Sequence, residues 1–199
     1  DFASDNHRSV YDTPSGGGPG MVMRVDIVAG AIDSVRDKEK EERPVIYLSP
    51  RGKPLAQEQV KELAKGPGLS LLCGRFEGVD DRVIKARRIM EISLGDFILC
   101  GGEVAAMALI EATVRLLPGI LGKEASAEDE SFESHLLEYP HYTRPAVWEG
   151  HEIPQVLTSG HHGKVEAWRK SEALRITKER RPDLWARYKK RDFAGNGEK

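Results

Sequence analysis

The run from Glu91 to Leu117 has the residue types and spacing expected of a ligand-binding loop between a strand and a helix. A short apolar segment broken by Gly95-Asp96 leads into Gly101-Gly102, and a long apolar segment follows at once. Two adjacent glycines between a buried strand and a buried helix indicate that the backbone passes close to another group. The chemistry that this pattern favours is the binding of a small molecule by backbone N–H and C=O groups.

The usual nucleotide-binding fingerprints are absent from this sequence. No GxGxxG motif opens a helix after a strand-like run, and no GxxxxGK[ST] motif occurs. The sequence therefore predicts a ligand held by loops of a less common cofactor fold.

The thiols and imidazoles do not have the spacing of a metal site. Cys73 and Cys100 each end an apolar strand-like run, which predicts buried, reduced thiols rather than a disulfide or metal ligands. The histidines considered as ligands lack an HxxxH-type or Cys/His spacing. They are His135, His141, His151, His161 and His162. No protein-bound metal is predicted.

Composition is that of an ordinary globular chain of 199 residues, 39% hydrophobic and 31% charged. This length suits one large domain or two small ones. The apolar stretches end well short of the roughly 20 residues of a membrane span, and no signal peptide is visible. We expect a cytoplasmic protein. The chain starts at Asp1 without a methionine, so we also expect its natural start to be missing.

Positive charge is concentrated between Lys164 and Arg191, a segment with eleven Lys or Arg residues and only four Asp or Glu residues. The formal net charge of the whole chain is −2. Several of the cations share a helix-like segment with Trp168. Basic residues interleaved with aromatics are typical of surfaces that bind a phosphate backbone. The alternative is a solvated helix face, and composition alone does not separate the two.

Short apolar runs alternate with longer segments of helical spacing, and Pro or Gly separates most of them. This alternation predicts an α/β domain with a mainly parallel sheet. The predicted strands are 44–49, 69–73 and a third starting near residue 91. The predicted helices are 21–35, 55–65, 80–88 and 102–117. Residues 123–134 are small, polar and acidic, which predicts an exposed linker before a second, smaller, mostly helical domain.

Several motifs, in order, give the chain a recognisable pattern. They are LSPRGKPL at 48–55, LCGRFEGVD at 72–80, SLGDF through GGE at 93–103, and LLEYPHYTRP at 136–145. The sequence resembles the bacterial tRNA (guanine-N1)-methyltransferase family, TrmD, from Asp1 to about Leu184. The opening strand and helix of that family have no counterpart here.

The resemblance implies an S-adenosylmethionine-dependent enzyme of the SPOUT class, with a parallel sheet, a deep trefoil knot and a homodimeric assembly. It assigns residues 1–121 to a knotted catalytic domain, 122–134 to a flexible acidic linker and 135–199 to a tRNA-binding domain. The three loops that hold the cofactor in such enzymes match post-strand loops of this sequence. The cofactor-binding residues expected from them are Tyr47, Leu48, Ser49, Pro50, Gly74, Glu77, Ser93, Leu94, Gly95, Asp96, Phe97, Ile98, Leu99, Gly101 and Gly102.

The reaction implied by the resemblance needs a base, because guanine N1 carries a proton at neutral pH. The charge that builds on O6 needs a cation or donor nearby. The family's arginine aligns with Arg115. Its aspartate, in Asp-Ser-Phe, reads Glu130-Ser131-Phe132 here, with Asp129 one position earlier. Glu130 is the expected base. Asp129 is the alternative if the register slips by one, and a third interpretation is an acidic linker without a catalytic member.

Another departure from the family is Tyr11, where many relatives have an acidic residue; Asp12 follows it. Tyr142 and Arg144, inside the LLEYPHYTRP motif, are expected to stack on RNA and pair with phosphate. Further RNA-binding candidates come from the basic segment: Arg169, Arg175, Arg180 and Arg181. The resemblance also implies that Mg²⁺ helps the reaction, and the lack of a protein site in the sequence fits an ion held mainly by water and substrate.

Three functions remain open at this point. The first is methylation of the guanine at position 37 of tRNA, beside the anticodon, by a homodimer that uses both domains. The second is a catalytically silent RNA-binding or dimerisation module with the same fold. The third is a SPOUT enzyme with another RNA target, which the TrmD-like second domain disfavours.

Overall fold

The computed structural model describes residues 2–38, 41–120, 131–132 and 134–195. It divides the chain into two compact units, Asp1–Gly122 and Lys123–Lys199. Within the described residues, no helix combines the length and apolarity needed to cross a membrane.

The first unit is an α/β domain preceded by a small hairpin. Its elements, in chain order, are β1 (Tyr11–Asp12), β2 (Val22–Met23), α1 (Val25–Arg36), β3 (Val45–Pro54), α2 (Gln57–Lys65), β4 (Ser70–Leu72), α3 (Asp81–Ala86), β5 (Met90–Ser93) and α4 (Gly102–Val114).

Strands β4, β3 and β5 form a parallel sheet in that order, with β3 in the centre. The pairing places Val45 opposite Ser70 on one side, and Ile46 opposite Met90 on the other. Parallel strands require crossovers, and the helices supply them. The predicted α/β class and parallel sheet are confirmed.

The core lies on both faces of this sheet, because successive β3 side chains point in opposite directions. Val45 and Tyr47 join a cluster that includes side chains of α1 and α3. Ile46 and Leu48 join a second cluster with Ile92 and the buried face of α4. A strand buried on both faces carries a continuous apolar run, which explains the sequence PVIYLS.

The hairpin corrects one sequence expectation. Residues 21–35 were predicted as a helix, but α1 begins only at Val25, because Val22 and Met23 pair antiparallel with Asp12 and Tyr11. Two-residue strands are too short to show a period of two, so the pattern contained no signal for them.

The second unit is mostly helical, as its sequence predicts. A two-stranded ribbon, β6 (Val147–Trp148) and β7 (His151–Glu152), precedes α5 (Gln155–Thr158), α6 (His162–Arg180) and α7 (Pro182–Gly195). Ala173, Ile176 and Leu184 are buried between these helices. Fully buried Thr177 donates to the Ala173 carbonyl at 2.7 Å and accepts from the Leu137 N–H at 2.7 Å, which ties the entering segment to α6.

Candidate functional site

A cleft of about 300 Å³ opens at the carboxyl ends of β3, β4 and β5. These ends lie at one edge of the sheet because the strands are parallel, and the loops that follow them form the walls. Clefts at this edge are where open α/β sheets bind ligands.

The first wall is an excursion of β3 out of the sheet. Leu48 and Lys53 both lie opposite Ile92 in the pairing with β5, so the residues between them loop out of the ladder. The Arg51 N–H donates to the Ser49 hydroxyl at 3.2 Å within this loop. A Cβ on Gly52 would overlap the Ile92 backbone nitrogen, so glycine allows the strand to rejoin the sheet.

Tyr47 forms the floor beneath the second wall. Its ring is buried, and burial raises the pKa of its hydroxyl, which keeps the group neutral. The loop from Gly74 to Gly78 lies directly over it. A Cβ on Gly74 would lie 3.0 Å from Tyr47 Cε2, and Gly78 adopts a φ of +95° beside the Tyr47 hydroxyl. The second wall can therefore lie flat on the Tyr47 ring only because glycines occupy these positions.

The third wall runs from β5 to α4. Ser93 Oγ accepts from the Gly95 N–H and donates to the Gly95 carbonyl, each at 3.2 Å, which turns the chain sharply after the strand. Phe97, Ile98 and Leu99 follow and are 54%, 79% and 40% exposed. An apolar wall of this exposure is available to a ligand or to another chain.

The second and third walls join at the beginning of α4. The Gly102 N–H donates to the Gly74 carbonyl at 2.9 Å, and the backbones of Arg75 and Gly101 form an isolated antiparallel β-bridge. A Cβ on Gly102 would lie 2.9 Å from Cys73 Cα and 3.2 Å from the Gly74 nitrogen. The paired glycines of the sequence are therefore explained by this close backbone approach.

The structure brings the predicted cofactor-binding residues together around this cleft. All of them line it except Asp96. The sequence reasoning missed several lining residues that interleave with the predicted ones in the same loops, so contiguity was the available signal for most of them. They are Arg51, Arg75, Phe76, Gly78, Ile92, Cys100 and Ala105.

The sequence profile of the family described as tRNA (guanine-1)-methyltransferase TrmD matches residues 1–187. The chain belongs to this TrmD family. A tRNA (guanine-N(1)-)-methyltransferase of Chelativorans sp. strain BNC1 is 61% identical over 188 residues, or 94% of this chain and 80% of that protein. The proteins of the same name from Brucella ovis and Brucella suis are also 61% identical over 188 residues, covering 76% and 75% of their lengths.

An ion pair spans two walls of the cleft in this TrmD family member. Arg75 Nε lies 3.1 Å from Glu103 Oε1, with both side chains more than half exposed. The pKa of Glu103 is lowered, first by its own backbone N–H at the start of α4 and then by Arg75. Glu103 is therefore anionic at neutral pH and holds Arg75 against the helix N-terminus.

The two residues expected to perform the TrmD chemistry are not brought together within the described structure. Arg115 follows α4, where its N–H donates to the Glu111 carbonyl at 3.2 Å, and its side chain is partly exposed. Glu130 and the alternative Asp129 lie outside the described residues. Their roles remain predictions.

The RNA-binding candidates of the second unit differ in how their charges are balanced. Arg175 Nη2 lies 2.7 Å from Glu172, and its Nη1 lies 3.0 Å from Glu179. Arg181 pairs with Asp183 at 2.7 Å and lowers the pKa of that carboxyl to about 2. The charges of these two arginines are therefore largely balanced by neighbouring carboxylates.

The other candidates are arranged differently. The Arg169 guanidinium lies 4.8 Å from the centroid of the Tyr139 ring, and the Tyr142 and Trp168 rings lie 6.2 Å apart. Arg144 and Arg180 are exposed. Among the described residues, Arg169 and Arg180 take part in no ion pair, so their charge remains available to an anionic partner.

The cysteine prediction was partly wrong. Both thiols are free, but Cys73 is half-buried and Cys100 is exposed at the cleft. The apolar run before Cys100 is a loop rather than a strand, which is why the expected burial fails. Within the described ranges, no three His, Cys, Asp or Glu side chains are grouped closely enough to hold a metal ion.

We expect Gly102→Ala to destabilise the first unit, because the added methyl would overlap the backbone at Cys73 and Gly74. Overpacking of this kind costs about 1–3 kcal/mol in the free energy of unfolding. Urea denaturation measures it. Gly163→Ala is the matched control, since a Cβ there meets nothing within 4 Å and the site is helical. Equal stability of Gly102→Ala and the wild type would contradict the close approach.

Proposed function

We propose that this protein transfers a methyl group from S-adenosylmethionine to N1 of the guanine at position 37 of tRNA. The convergence of the predicted cofactor residues on one cleft supports the proposal most directly. Membership of the TrmD family, and relatives named tRNA (guanine-N(1)-)-methyltransferase at 61% identity, support the reaction class.

The cleft fits the proposed cofactor in composition. Gly74, Gly78 and Gly102 let the loops lie close to Tyr47 and to each other, which shapes a cleft for the adenosine part of the cofactor. Leu94, Leu99 and the neighbouring apolar residues supply walls for the ring, and Glu77 supplies a carboxylate for an ammonium group. When bound, S-adenosylmethionine supplies the methyl group.

Residues of the protein are proposed to remove the N1 proton and to stabilise the charge that builds on the guanine. Glu130 is the proposed base that removes the N1 proton of guanine, which leaves negative charge on O6 as the methyl group arrives. Arg115 is the proposed partner of that charge. Glu130 carries the same charge as the family's aspartate on an arm one methylene longer.

The active site is proposed to lie between two copies of the chain. Helix α4 buries one face, which includes Ala105, Ala106 and Leu109. Its opposite face carries an exposed apolar stripe, with Val104 63%, Met107 69% and Ile110 46% exposed. Such a stripe, on a helix that ends beside Arg115, suits a symmetric helix contact that brings Arg115 to the partner's cleft.

Further parts of the proposal follow from the family. The first unit carries the SPOUT trefoil knot, residues 122–134 link the two domains, and the second unit binds tRNA. A tRNA substrate makes the cytoplasm the proposed location. Mg²⁺ enters only as an ion held by RNA and water, and no step is assigned to it.

The proposed function is tested by calorimetry with S-adenosylmethionine and by methyl transfer to tRNAs that differ only in the purine at position 37. We expect cofactor binding, and methylation of the guanine tRNA but not of the adenine tRNA. Absence of cofactor binding would indicate a silent RNA-binding module. Methylation at another nucleotide would indicate a different RNA target.

Glu130→Gln should slow the methyl-transfer step by a factor of about 10²–10⁴, the usual contribution of a positioned base, with little change in cofactor affinity. Asp129→Asn, the matched control, should do much less. Single-turnover kinetics with saturating tRNA separates the two variants. The reverse ranking would place the base one residue earlier, and two silent variants would remove the base from this segment.

Complementation tests the shared active site in the same assay. Glu130→Gln and Arg115→Gln homodimers should both be slow. After exchange of subunits, each mixed dimer would contain one site with both residues intact, which restores about a quarter of the wild-type activity for random mixing. No recovery in dimers shown to exchange would place both residues in one chain's site.

The charge pattern of the second unit predicts unequal arginine contributions. Replacing Arg169 and Arg180 together by Gln should weaken tRNA binding and reduce the slope of log affinity against log salt by about 1–2. Replacing Arg175 and Arg181 should reduce it less, because Glu172, Glu179 and Asp183 already balance their charge. Filter binding across a salt series measures both. Equal slopes for the two double variants would show that these ion pairs do not reduce the contribution of Arg175 and Arg181 to tRNA binding.

A further inference from the structure

Two aromatic rings form a right-angled corner beside the cleft. Tyr11, in β1, and Phe76, in the second wall, have ring centroids 5.2 Å apart and planes at 87°. Phe76 lines the cleft, whereas Tyr11 does not. The corner therefore has one ring against the proposed cofactor site and one ring outside it.

The contact between these rings is not needed to hold the hairpin in place. Backbone hydrogen bonds already join β2 to the same loop: Met23 N–H to the Gly78 carbonyl at 2.8 Å, and Glu77 N–H to the Met21 carbonyl at 3.0 Å. Tyr11 is positioned in turn by its pairing with Met23. The backbone places both rings, so their exposed surface is free for another role.

That exposed surface is large. Phe76 is 62% exposed despite its contact with Tyr11, and it adopts a φ of +55°, a left-handed conformation that bulky residues rarely adopt. Tyr11 is partly exposed, and neither ring belongs to a core cluster. Uncommon backbone conformations that persist at a cleft tend to serve a ligand rather than the fold.

The two exposed rings suit an unstacked nucleobase. Arg75 precedes Phe76 and its side chain is more than half exposed, but Glu103 at 3.1 Å already balances its charge. RNA-binding proteins stack such bases on aromatic side chains, so the match rests on the exposed rings and not on the local charge.

We propose that Tyr11 and Phe76 form an aromatic corner that receives the target guanine of the RNA as it leaves its stack and enters the cleft. The inference rests on the proposed function and adds Tyr11 as a residue that positions the substrate. A base withdrawn from RNA loses its stacking, and the rings replace it. Tyr11 lies outside the cleft lining, so it contributes to the RNA and not to the cofactor.

Tyr11→Leu, which keeps an apolar side chain and removes the ring, tests the proposal. It should raise the KM for tRNA about tenfold or more, the usual scale for loss of one base–aromatic stack, and leave the cofactor Kd within about twofold. Tyr11→Phe should behave as the wild type, because the ring and not the hydroxyl acts. Phe2→Leu is the matched control, since exposed Phe2 packs beside Gly30 and away from the cleft.

A tRNA that lacks the base at position 37 identifies the contact. Wild type and Tyr11→Leu should bind this abasic tRNA equally, because the base that the ring would stack on is gone. A loss that persists with the abasic tRNA would overturn the assignment to the target base, and so would an impaired Tyr11→Phe. If Tyr11→Leu is poorly folded by thermal melting, Phe76→Leu replaces it with the same expected loss on normal tRNA and none on abasic tRNA.

The outcomes also separate this inference from the proposed function. A wild type that methylates guanine 37, combined with an unaffected Tyr11→Leu and Phe76→Leu, would overturn the aromatic corner alone. A wild type that transfers no methyl group to tRNA would overturn the proposed function and the corner with it.

Discussion

The close backbone approach between Gly102 and the Cys73–Gly74 segment is the contact on which the cleft depends. It allows the first turn of α4 to donate its Gly102 N–H to the loop that follows β4, at 2.9 Å. That bond joins two of the three walls, and the Arg75–Glu103 ion pair joins them again at the surface. Because a side chain at Gly102 would meet backbone atoms rather than a flexible side chain, no small adjustment could replace glycine there.

Helix α4 links this contact to the rest of the protein through its two unlike faces. Leu109 is fully buried on the face that joins the core cluster of Ile46 and Ile92. The opposite face is apolar but exposed, with Met107 at 69%. Burying one face fixes the glycine-rich end at the cleft. The other face is an exposed apolar surface, which a helix that packs only against its own core does not usually carry.

The aromatic corner and the second unit are the two surfaces proposed to contact RNA. At Tyr11 and Phe76, backbone hydrogen bonds hold the segments, and the rings remain partly uncovered. Around α6 and the start of α7, carboxylates balance the charges of Arg175 and Arg181, so the formal excess of positive charge overstates the attraction for phosphate. In both places, local contacts decide which groups are available to a partner.

The sequence by itself determined the α/β class, the parallel strands and most of the cleft, because apolar periodicity, adjacent glycines and the family motifs are local signals. Only the tertiary structure revealed the β1–β2 hairpin, the excursion of β3 opposite Ile92, and the exposure of Cys100. Contacts such as Arg75–Glu103, 28 residues apart, and Tyr11–Phe76 also needed it. Each joins side chains that are distant along the chain, and the folded backbone alone sets the distance between them.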